Sequence, residues 1–571
     1  MRQKKWVIKQ ADNSAALVSL QEGLGIHPIL CQLLLNRGIE SFDEAKKFFR
    51  PSITDLHDPF LMQDMEIAVS TVLEKIAQGH KIMVYGDYDV DGTTSVSLMY
   101  SFLKQFTDQL IYYIPDRYGE GYGVSFQGID KAEEEACTLI ICLDCGIKAI
   151  KKVAYAKDKG IDFIICDHHR PGSELPAAVA VLDPKRSDCN YPYKELSGCG
   201  VGFKLAQAIA QRKGMDQASL LPLLDLVAVS IGADIVHITG ENRVLAYFGL
   251  KVLNDKPRHG FKAFINHLKP DHNMDIGDVV FKIAPRINAA GRISHATKAV
   301  ELLVASSLEE AETYASTIDE FNTRRRDLDE RITEEAIGQI KDGGLEKAKS
   351  TVVANEDWHK GVVGIVASRL IETYYRPTIV FTIKDGKYTG SARSILGFDI
   401  YNALDACSEH IEAFGGHMYA AGLTVDESKF DVFKKAFAHY VDERLTEEDL
   451  VERVEVESVL ELNQIDEGFF NILQQFEPHG PENLSPIFCA KEVVDSGWSR
   501  LVGENKDHLS LSLFNPNYPR DFYKGIAFRM KECFGQIQMK QSFAICYSLK
   551  ENVWKDKKSI QLFVSDLKFK K

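Results

Sequence analysis

Apolar positions fall into two rhythms along this chain, and each marks a different kind of element. Short unbroken runs, Ile82-Met83-Val84-Tyr85, Thr138-Leu139-Ile140-Ile141-Cys142-Leu143 and Ile161-Asp162-Phe163-Ile164-Ile165-Cys166, read as buried strands. Between and around them lie stretches of helical period: Thr94 to Leu103, Ser125 to Ala136, and Ile147 to Lys159 stopped by Gly160. Strands alternating with helices predict a parallel, doubly wound sheet. Ligands of such sheets bind beyond the carboxyl ends of the strands. From Leu308 to Ile340 the pattern predicts one long helix, with Ala311, Ala315, Ile318, Phe321, Leu328, Ile332, Ala336 and Ile340 at helical spacing and Gly343-Gly344 at its end. At ~45 Å it suits a connection between two domains. Strand-like Thr351-Val352-Val353-Ala354 opens a second α/β region, where Gly361-Val362-Val363-Gly364 begins a helix whose N-terminus suits an anion. Short strand-like runs then recur at Val454 to Leu460, His508 to Leu513, Ser542 to Tyr547 and Ser559 to Val564, predicting an antiparallel β-barrel of OB type.

The organisation expected is a helical lead-in over residues 1–80, an α/β domain over 81–305, a connecting helix over 306–345, a second α/β domain over 346–445 and a β-barrel over 446–571. A chain of 571 residues is too long for one ordinary core. Hydrophobic content of 45% and charged content of 26% are those of a soluble globular protein. No run approaches the ~18 apolar residues of a membrane span, and no apolar signal segment follows Met1-Arg2-Gln3-Lys4-Lys5-Trp6. A cytoplasmic protein is expected. The eleven cysteines lack the spacing of a disulfide framework. Cys142-Leu143-Asp144-Cys145 has no second pair to complete a zinc site and reads as a buried strand end. A net charge of −14 argues against a generally basic surface but leaves room for a local basic groove. No G-x-x-x-x-G-K-[ST] occurs, so nothing suggests an NTP-driven motor.

The chemistry concentrates at predicted strand ends. Gly86-Asp87-Tyr88-Asp89-Val90-Asp91-Gly92 places three carboxylates at alternate positions between a strand and a helix. Carboxylates this close repel unless a cation neutralises them, and oxygen ligands suit Mg²⁺ or Mn²⁺. An EF-hand Ca²⁺ loop would need two flanking helices, and here a strand comes first. Asp144 ends the next strand and Asp167-His168-His169 the one after. A solvated turn or a packed histidine explains any one of these; three at one rim favour a metal site. A fourth carboxylate comes from Asp225, which also reads as a helix brace, or from Asp234, which follows Gly232 and is better placed to project.

Asp87-Tyr88-Asp89-Val90-Asp91-Gly92, Leu143-Asp144-Cys145-Gly146, Asp167-His168-His169 and Ala233-Asp234 resemble the four motifs of the DHH phosphoesterase superfamily. Pro285-Arg286-Ile287-Asn288-Ala289-Ala290-Gly291-Arg292, Gly390-Ser391-Ala392-Arg393-Ser394 and Gly415-Gly416-His417-Met418-Tyr419-Ala420-Ala421-Gly422 are similar to segments typical of its RecJ branch, the last belonging to a DHHA1 domain. The resemblance covers nearly the whole chain in the family's order. It implies an α/β fold: a parallel-sheet DHH domain and an α/β DHHA1 domain joined by a long helix, plus a C-terminal OB-like β-barrel. It further implies a single-stranded-DNA-specific 5′→3′ exonuclease that releases mononucleotides in DNA recombination and repair. Its partners would be single-stranded DNA, a single-strand-binding protein and a repair helicase, with no membrane.

The mechanism expected is two-metal phosphodiester hydrolysis with two Mn²⁺ or Mg²⁺ ions. Asp89 and Asp91 bind separate metals, Asp144 bridges them, His168 and Asp234 complete the second metal's ligands, and Asp87 assists the first. A histidine ligand shifts preference towards Mn²⁺. His169 contacts the scissile phosphate, and Asp167 orients a ligating histidine. Arg117, just after another strand, offers a fork suited to a terminal phosphate. Arg286, Arg292, Ser391, Arg393 and His417 are further phosphate candidates carried by the family motifs, with salt bridges the plainer reading for the arginines. Arg324-Arg325-Arg326 reads first as a solvated helix face. Phe514, Tyr518, Phe522, Tyr523 and Trp554 could stack bases, though most would serve a small β core. One departure is Tyr85, which stands where some DHH relatives carry a metal-binding histidine. Two rivals are a DHH hydrolase of pyrophosphate, short oligonucleotides or cyclic dinucleotides, and a non-catalytic DNA-binding scaffold. The C-terminal β domain argues against the first; the presence of Asp89, Asp91, Asp144 and His168 argues against the second.

Overall fold

The computed structural model describes residues 4–9, 14–554 and 557–569, apart from the side chains of Ser14 and Trp554. Trp554, one of the stacking candidates, therefore lies outside the described side chains.

Five parallel strands carry the acidic turns, in the spatial order Leu110–Tyr113, Lys81–Gly86, Cys137–Leu143, Asp162–Cys166, Ala180–Leu182. Helices cover the sheet, so its central strands are buried continuously rather than in alternation. The strand Leu110–Tyr113 lies on one side of Lys81–Gly86 and Cys137–Leu143 on the other. A crevice opens at such a switch point, at the carboxyl ends of the strands. The Asp87–Asp91 turn and Asp144 flank it. The turn's shape follows from the helix it starts: Asp89 caps Val90–Leu103, with Oδ1 accepting the Gly92 amide at 3.0 Å. Gly92 must lack a side chain, because a Cβ there would lie 2.3 Å from the Asp87 carbonyl oxygen. Helices Gly198–Arg212 and Leu224–Ala233 pack on the Val90 helix. Both are almost wholly buried, which explains why their sequences are apolar on nearly every face.

The C-terminal strands form an OB-like barrel. Phe488–Asp495, Phe543–Trp554, Lys557–Phe569, Tyr518–Ala527 and His508–Asn515 pair in turn, and Val494 pairs back with Phe514 to close the ring. Leu509, Leu511 and Leu513 point inward and alternate with half-buried positions. Phe514 and Phe522 meet edge to face at 5.7 Å, and Tyr518 and Phe522 are exposed. Tyr523 donates to the Ile465 carbonyl at 3.0 Å and so serves the fold.

The N-terminal helices do not form a separate body. Leu20, Leu30, Leu33, Leu34 and Ala45 share one core with Phe469, Phe488, Leu511, Ile545 and Leu562. The chain divides into two compact units, Ile8–Asp319 with Glu455–Lys571, and Met1–Val7 with Glu320–Val454. The barrel thus belongs to the same unit as the acidic sheet, and a chain cut near Arg444 would expose this shared core.

Arg243 fastens that unit. Its guanidinium is buried and stacked 3.7 Å from the Phe48 ring centroid. It donates to the carbonyls of Phe48 (3.1 and 3.2 Å), Gln475 (3.0 Å), Phe476 (2.9 Å), Glu477 (3.0 Å) and Pro478 (3.4 Å). Burial, with the nearby Arg37 charge, pulls its pKa down to about 9. Arg243→Met would leave these acceptors unpaired and is expected to cost at least about 3 kcal/mol, measured as a lowered urea midpoint.

The second unit holds a mixed sheet in the order Ala413–His417, Ala420–Asp426, Lys387–Arg393, Thr378–Lys384, Thr351–Asn355. Only the last pair is parallel. The helix Leu308–Asp342 runs 35 residues across the boundary between the units. Its distal Ile332, Ala336 and Ile340 pack with Val353, Val363, Val366 and Leu370. Arg325, on its buried side, donates to Asn322 at 2.6 Å and lies 3.7 Å from Asp329. Among the described residues no helix is long and apolar enough to cross a membrane.

Candidate metal centre

The sheet's rim gathers the acids and histidines. His168 Nε2 lies 3.2 Å from Asp144 Oδ1, 3.5 Å from Asp234 Oδ2 and 3.7 Å from Asp91 Oδ2. Among the described residues two groups have the spacing of metal ligands: Asp91, His168 and Asp234, and Asp144, His168 and His169. Asp144 ends its strand in the left-handed region, at φ 59°, which directs its side chain back over the rim. Gly198 makes room for it, since a Cβ there would lie 2.6 Å from Asp144 Cβ.

Asp91 is aimed by a helix N-terminus. Its Oδ2 accepts the Gly198 amide at 2.7 Å, and its Oδ1 accepts the Cys199 amide at 2.8 Å and the Ser230 hydroxyl at 2.7 Å. Sequence reasoning missed Gly198 and Ser230. They lie 107 and 139 residues from Asp91, and no local pattern links them. Asp234 caps the helix Leu224–Ala233 and stands beside His168, whereas Asp225 is buried in a fork with Arg258 at 2.9–3.0 Å. Of the two candidates, Asp234 is the one the structure brings to the cluster.

The donor set fits a hard divalent cation. Among the described residues neither nitrogen of the buried His168 ring finds a hydrogen-bond partner, although three carboxylates face it. Burial lowers its pKa, so the ring is neutral and offers a lone pair. Asp87 Oδ2 is likewise buried without a partner, while Oδ1 accepts the Gly123 amide at 3.1 Å. Burial and the Asp89 charge push Asp87 up to about 8. Burial and then the surrounding acids raise Asp144 and Asp234 well above the usual carboxylate range. Burial also raises Asp89. Buried, mutually repelling carboxylates around an unpaired neutral imidazole are stabilised once a cation enters.

His169 is held differently. Its Nδ1 meets Asp167 Oδ1 at 2.7 Å, and its Nε2 meets the Tyr122 hydroxyl at 3.1 Å. Asp167 also accepts the amides of Ile147, His168 and His169. Burial opposes both shifts in this pair but is outweighed by the mutual hydrogen bond and charge, which put His169 at about 9 and Asp167 at about 2. Tyr122 was not singled out from the sequence. The signal was its place between Gly121 and Gly123, whose φ of 86° and 76° form the turn that holds it here.

The phosphate candidates belong to both units. Arg117 stacks 4.5 Å from the Tyr88 ring centroid, within the charge field of Asp87 and Asp89. The Arg292 carbonyl accepts the Tyr118 hydroxyl at 2.6 Å. Arg286 donates to Asp319 Oδ1 and the Lys282 carbonyl, both at 2.7 Å. In the second unit Arg393 donates to Ser391 Oγ at 2.9 Å, and burial lowers its pKa. A Cβ on Gly364 would lie 3.0 Å from Ser391 Oγ and 3.1 Å from Arg393 Nη2, so these groups crowd the start of the helix Val363–Tyr374. His417 is exposed on the strand Ala413–His417. Tyr85 is buried in the core, its hydroxyl donating to the Gly123 carbonyl at 3.0 Å and accepting the Ser125 amide at 3.1 Å. Cys142 and Cys145 are buried with their sulfurs 3.3 Å apart.

A parallel sheet whose switch point bears an acid–histidine cluster of this kind defines a metal-dependent phosphoesterase of DHH type. The DHH family N-terminal domain matches residues 81–231, the DHHA1 domain residues 347–443 and the RecJ OB domain residues 456–566. The single-stranded-DNA-specific exonuclease RecJ of Bacillus subtilis is 37% identical over 98% of this chain and 70% of its own. RecJ of Thermus thermophilus in complex with Mn²⁺ superposes with a TM-score of 0.83 at 26% identity, over 99% of this chain and 80% of that one. Its Mg²⁺ complex gives a TM-score of 0.77 at 25% identity, over 99% and 79%. The chain belongs to the RecJ family.

Proposed function

We infer that this protein is a metal-dependent exonuclease specific for single-stranded DNA. The observation that carries the reading is the convergence of Asp91, Asp144 and Asp234 on an unpaired, buried His168. Such a centre survives in an enzyme and is dispensable in a scaffold, and the barrel with its exposed Tyr518 and Phe522 supports a polymeric substrate. The chain digests from a 5′-phosphorylated end and releases mononucleotides. Its place is the cytoplasm, in recombination and repair, beside a single-strand-binding protein and a helicase, as the family resemblance implies.

Asp91, Asp144, His168 and Asp234 would hold one cation, and Asp87 and Asp89 with Asp144 a second. Bound divalent cations supply a hydroxide nucleophile near neutral pH and offset phosphate charge. The chain's own groups do the rest. In the metal-free protein the Asp167 hydrogen bond and charge outweigh burial and raise the His169 pKa to about 9; held by Asp167, the ring would donate from Nε2 to a non-bridging oxygen of the scissile phosphate once Tyr122 yields it. Asp167 fixes the ring through Nδ1. Arg117, Arg286, Arg292, Ser391, Arg393 and His417 bind phosphates of the strand.

One oligonucleotide, offered as a single strand and as a blunt duplex, each labelled at its 3′ end, tests this. The single strand should be shortened from its 5′ end in Mn²⁺ and the duplex spared. Equal digestion of both, or shortening that starts at the 3′ end, would sink the reading.

A further inference from the structure

The strand Ala180–Leu182 is the fourth around this crevice to end in an acid. Asp183 follows Leu182, which pairs with Cys166, so it stands beside Asp167 at the rim. It is fully buried, and its Oδ2 has no hydrogen-bond partner among the described residues. Its Oδ1 accepts the Lys185 amide at 2.7 Å, closing a tight turn through Pro184. Arg186 locks the other flank. Its buried guanidinium donates to the Val181 carbonyl at 2.5 Å, to Asp64 at 2.6 Å, and to Asp188 through two bonds of 2.6 and 2.9 Å. Lys185 is therefore presented by a turn fixed on both sides.

Its ammonium is partly exposed and lies 3.3 Å from Glu195 Oε2. Lys185 follows the rim residue Asp183 by two positions, and Glu195 comes three positions before Gly198, whose amide binds Asp91 at 2.7 Å, so the ion pair stands beside the metal centre, where the lysine's charge acts on Asp183, Asp234 and His168. A single ion pair between two partly exposed side chains contributes little to a fold. A rigid turn built to present this cation beside a cluster of acids needs another explanation.

We propose that Lys185 is a substrate contact, whose ammonium leaves Glu195 and binds a non-bridging phosphate oxygen of the DNA strand on the Asp234 side of the metal centre. The assignment rests on the nuclease reading above. Glu195 occupies the phosphate position in the free protein and competes with the substrate. The two partners then have opposite effects. A purely structural ion pair would lose the same thing from either side.

Affinity for a 5′-phosphorylated oligothymidylate, measured by fluorescence anisotropy in Ca²⁺ at several salt concentrations, separates these cases. Metal content is counted in the same samples. Lys185→Ala should bind about five-fold more weakly, with the slope of log affinity against log salt reduced by about 0.7, and with metal content unchanged. Lys185→Arg should restore most of the affinity. Glu195→Gln should bind as tightly as the parent or more so. Weakening of similar size in Lys185→Ala and Glu195→Gln would overturn the proposal. So would unaltered affinity and slope in Lys185→Ala, or loss of metal from it. A parent protein that binds no single strand would instead bring down the nuclease reading itself.

Discussion

Asp144→Asn is expected to lower turnover by at least about a thousand-fold while making the metal-free protein more heat-stable. Both effects follow from one position. The Asp144 carboxylate is buried and faces His168, with Asp91, Asp89, Asp234 and Asp167 all raising its pKa. In the metal-free protein that repulsion opposes folding, and a neutral amide of the same shape removes part of it. With metal the balance reverses, because the parent gains the free energy of binding a cation to the folded state alone. Thermal unfolding with and without Mn²⁺ should therefore show a large metal-induced rise in Tm for the parent and a small one for the variant. The two metal-free curves should lie in the opposite order. A folded Asn variant with parental turnover would remove Asp144 from the mechanism.

The second large effect separates neighbouring histidines. His168→Ala should lose bound metal. His169→Ala should keep it and still lose about a hundred-fold or more of turnover. His168 has no hydrogen bond and faces carboxylates, as a ligand does. His169 is occupied at both nitrogens, by Asp167 and Tyr122. Metal counting on the two variants decides it, and equal metal loss in both would place His169 among the ligands. The Asp167–His169 pair also has a pH signature in the metal-free protein. The His169 pKa is raised from 6.5 to about 9, so its contribution to stability is complete below 6.5 and gone above about 9. The Asp167 pKa is lowered from 3.8 to about 2, so its contribution is complete above 3.8 and lost as pH falls through about 2. His169→Ala should thus cost most stability at a pH of about 5 and little at about 10.

Much of the centre was legible in the sequence, because the three central strands of the parallel sheet announce themselves as apolar runs and Asp87, Asp144 and Asp167 directly follow them. Asp87, Asp144 and Asp167 needed no tertiary information to be placed at one rim. What orients them did not show. Gly198 and Ser230 hold Asp91 across more than a hundred residues, and Asp183 follows a strand only three residues long, too short to carry a pattern. In the barrel the strand Tyr518–Ala527 was hidden because Pro519, Arg520, Asp521 and Gly525 interrupt its alternation; the first three lie in its exposed half, whereas Gly525 is buried between Leu511 and Leu562. The shared core of Leu30, Leu34, Phe488 and Ile545 is a contact between chain ends, which periodicity cannot reveal. Arg243 illustrates the same limit: its six bonds all go to backbone carbonyls, which carry no residue identity.

The proposed activity depends on a metal centre formed by the carboxylates around His168. Crystals of the parent protein soaked in Mn²⁺ and measured at the manganese absorption edge test it most directly. An anomalous peak bound by His168 Nε2 and bounded by Asp91, Asp144 and Asp234 is expected. Protein from the same preparation should degrade single-stranded DNA in Mn²⁺. No peak at His168, or manganese held by other residues while that activity persists, would contradict it.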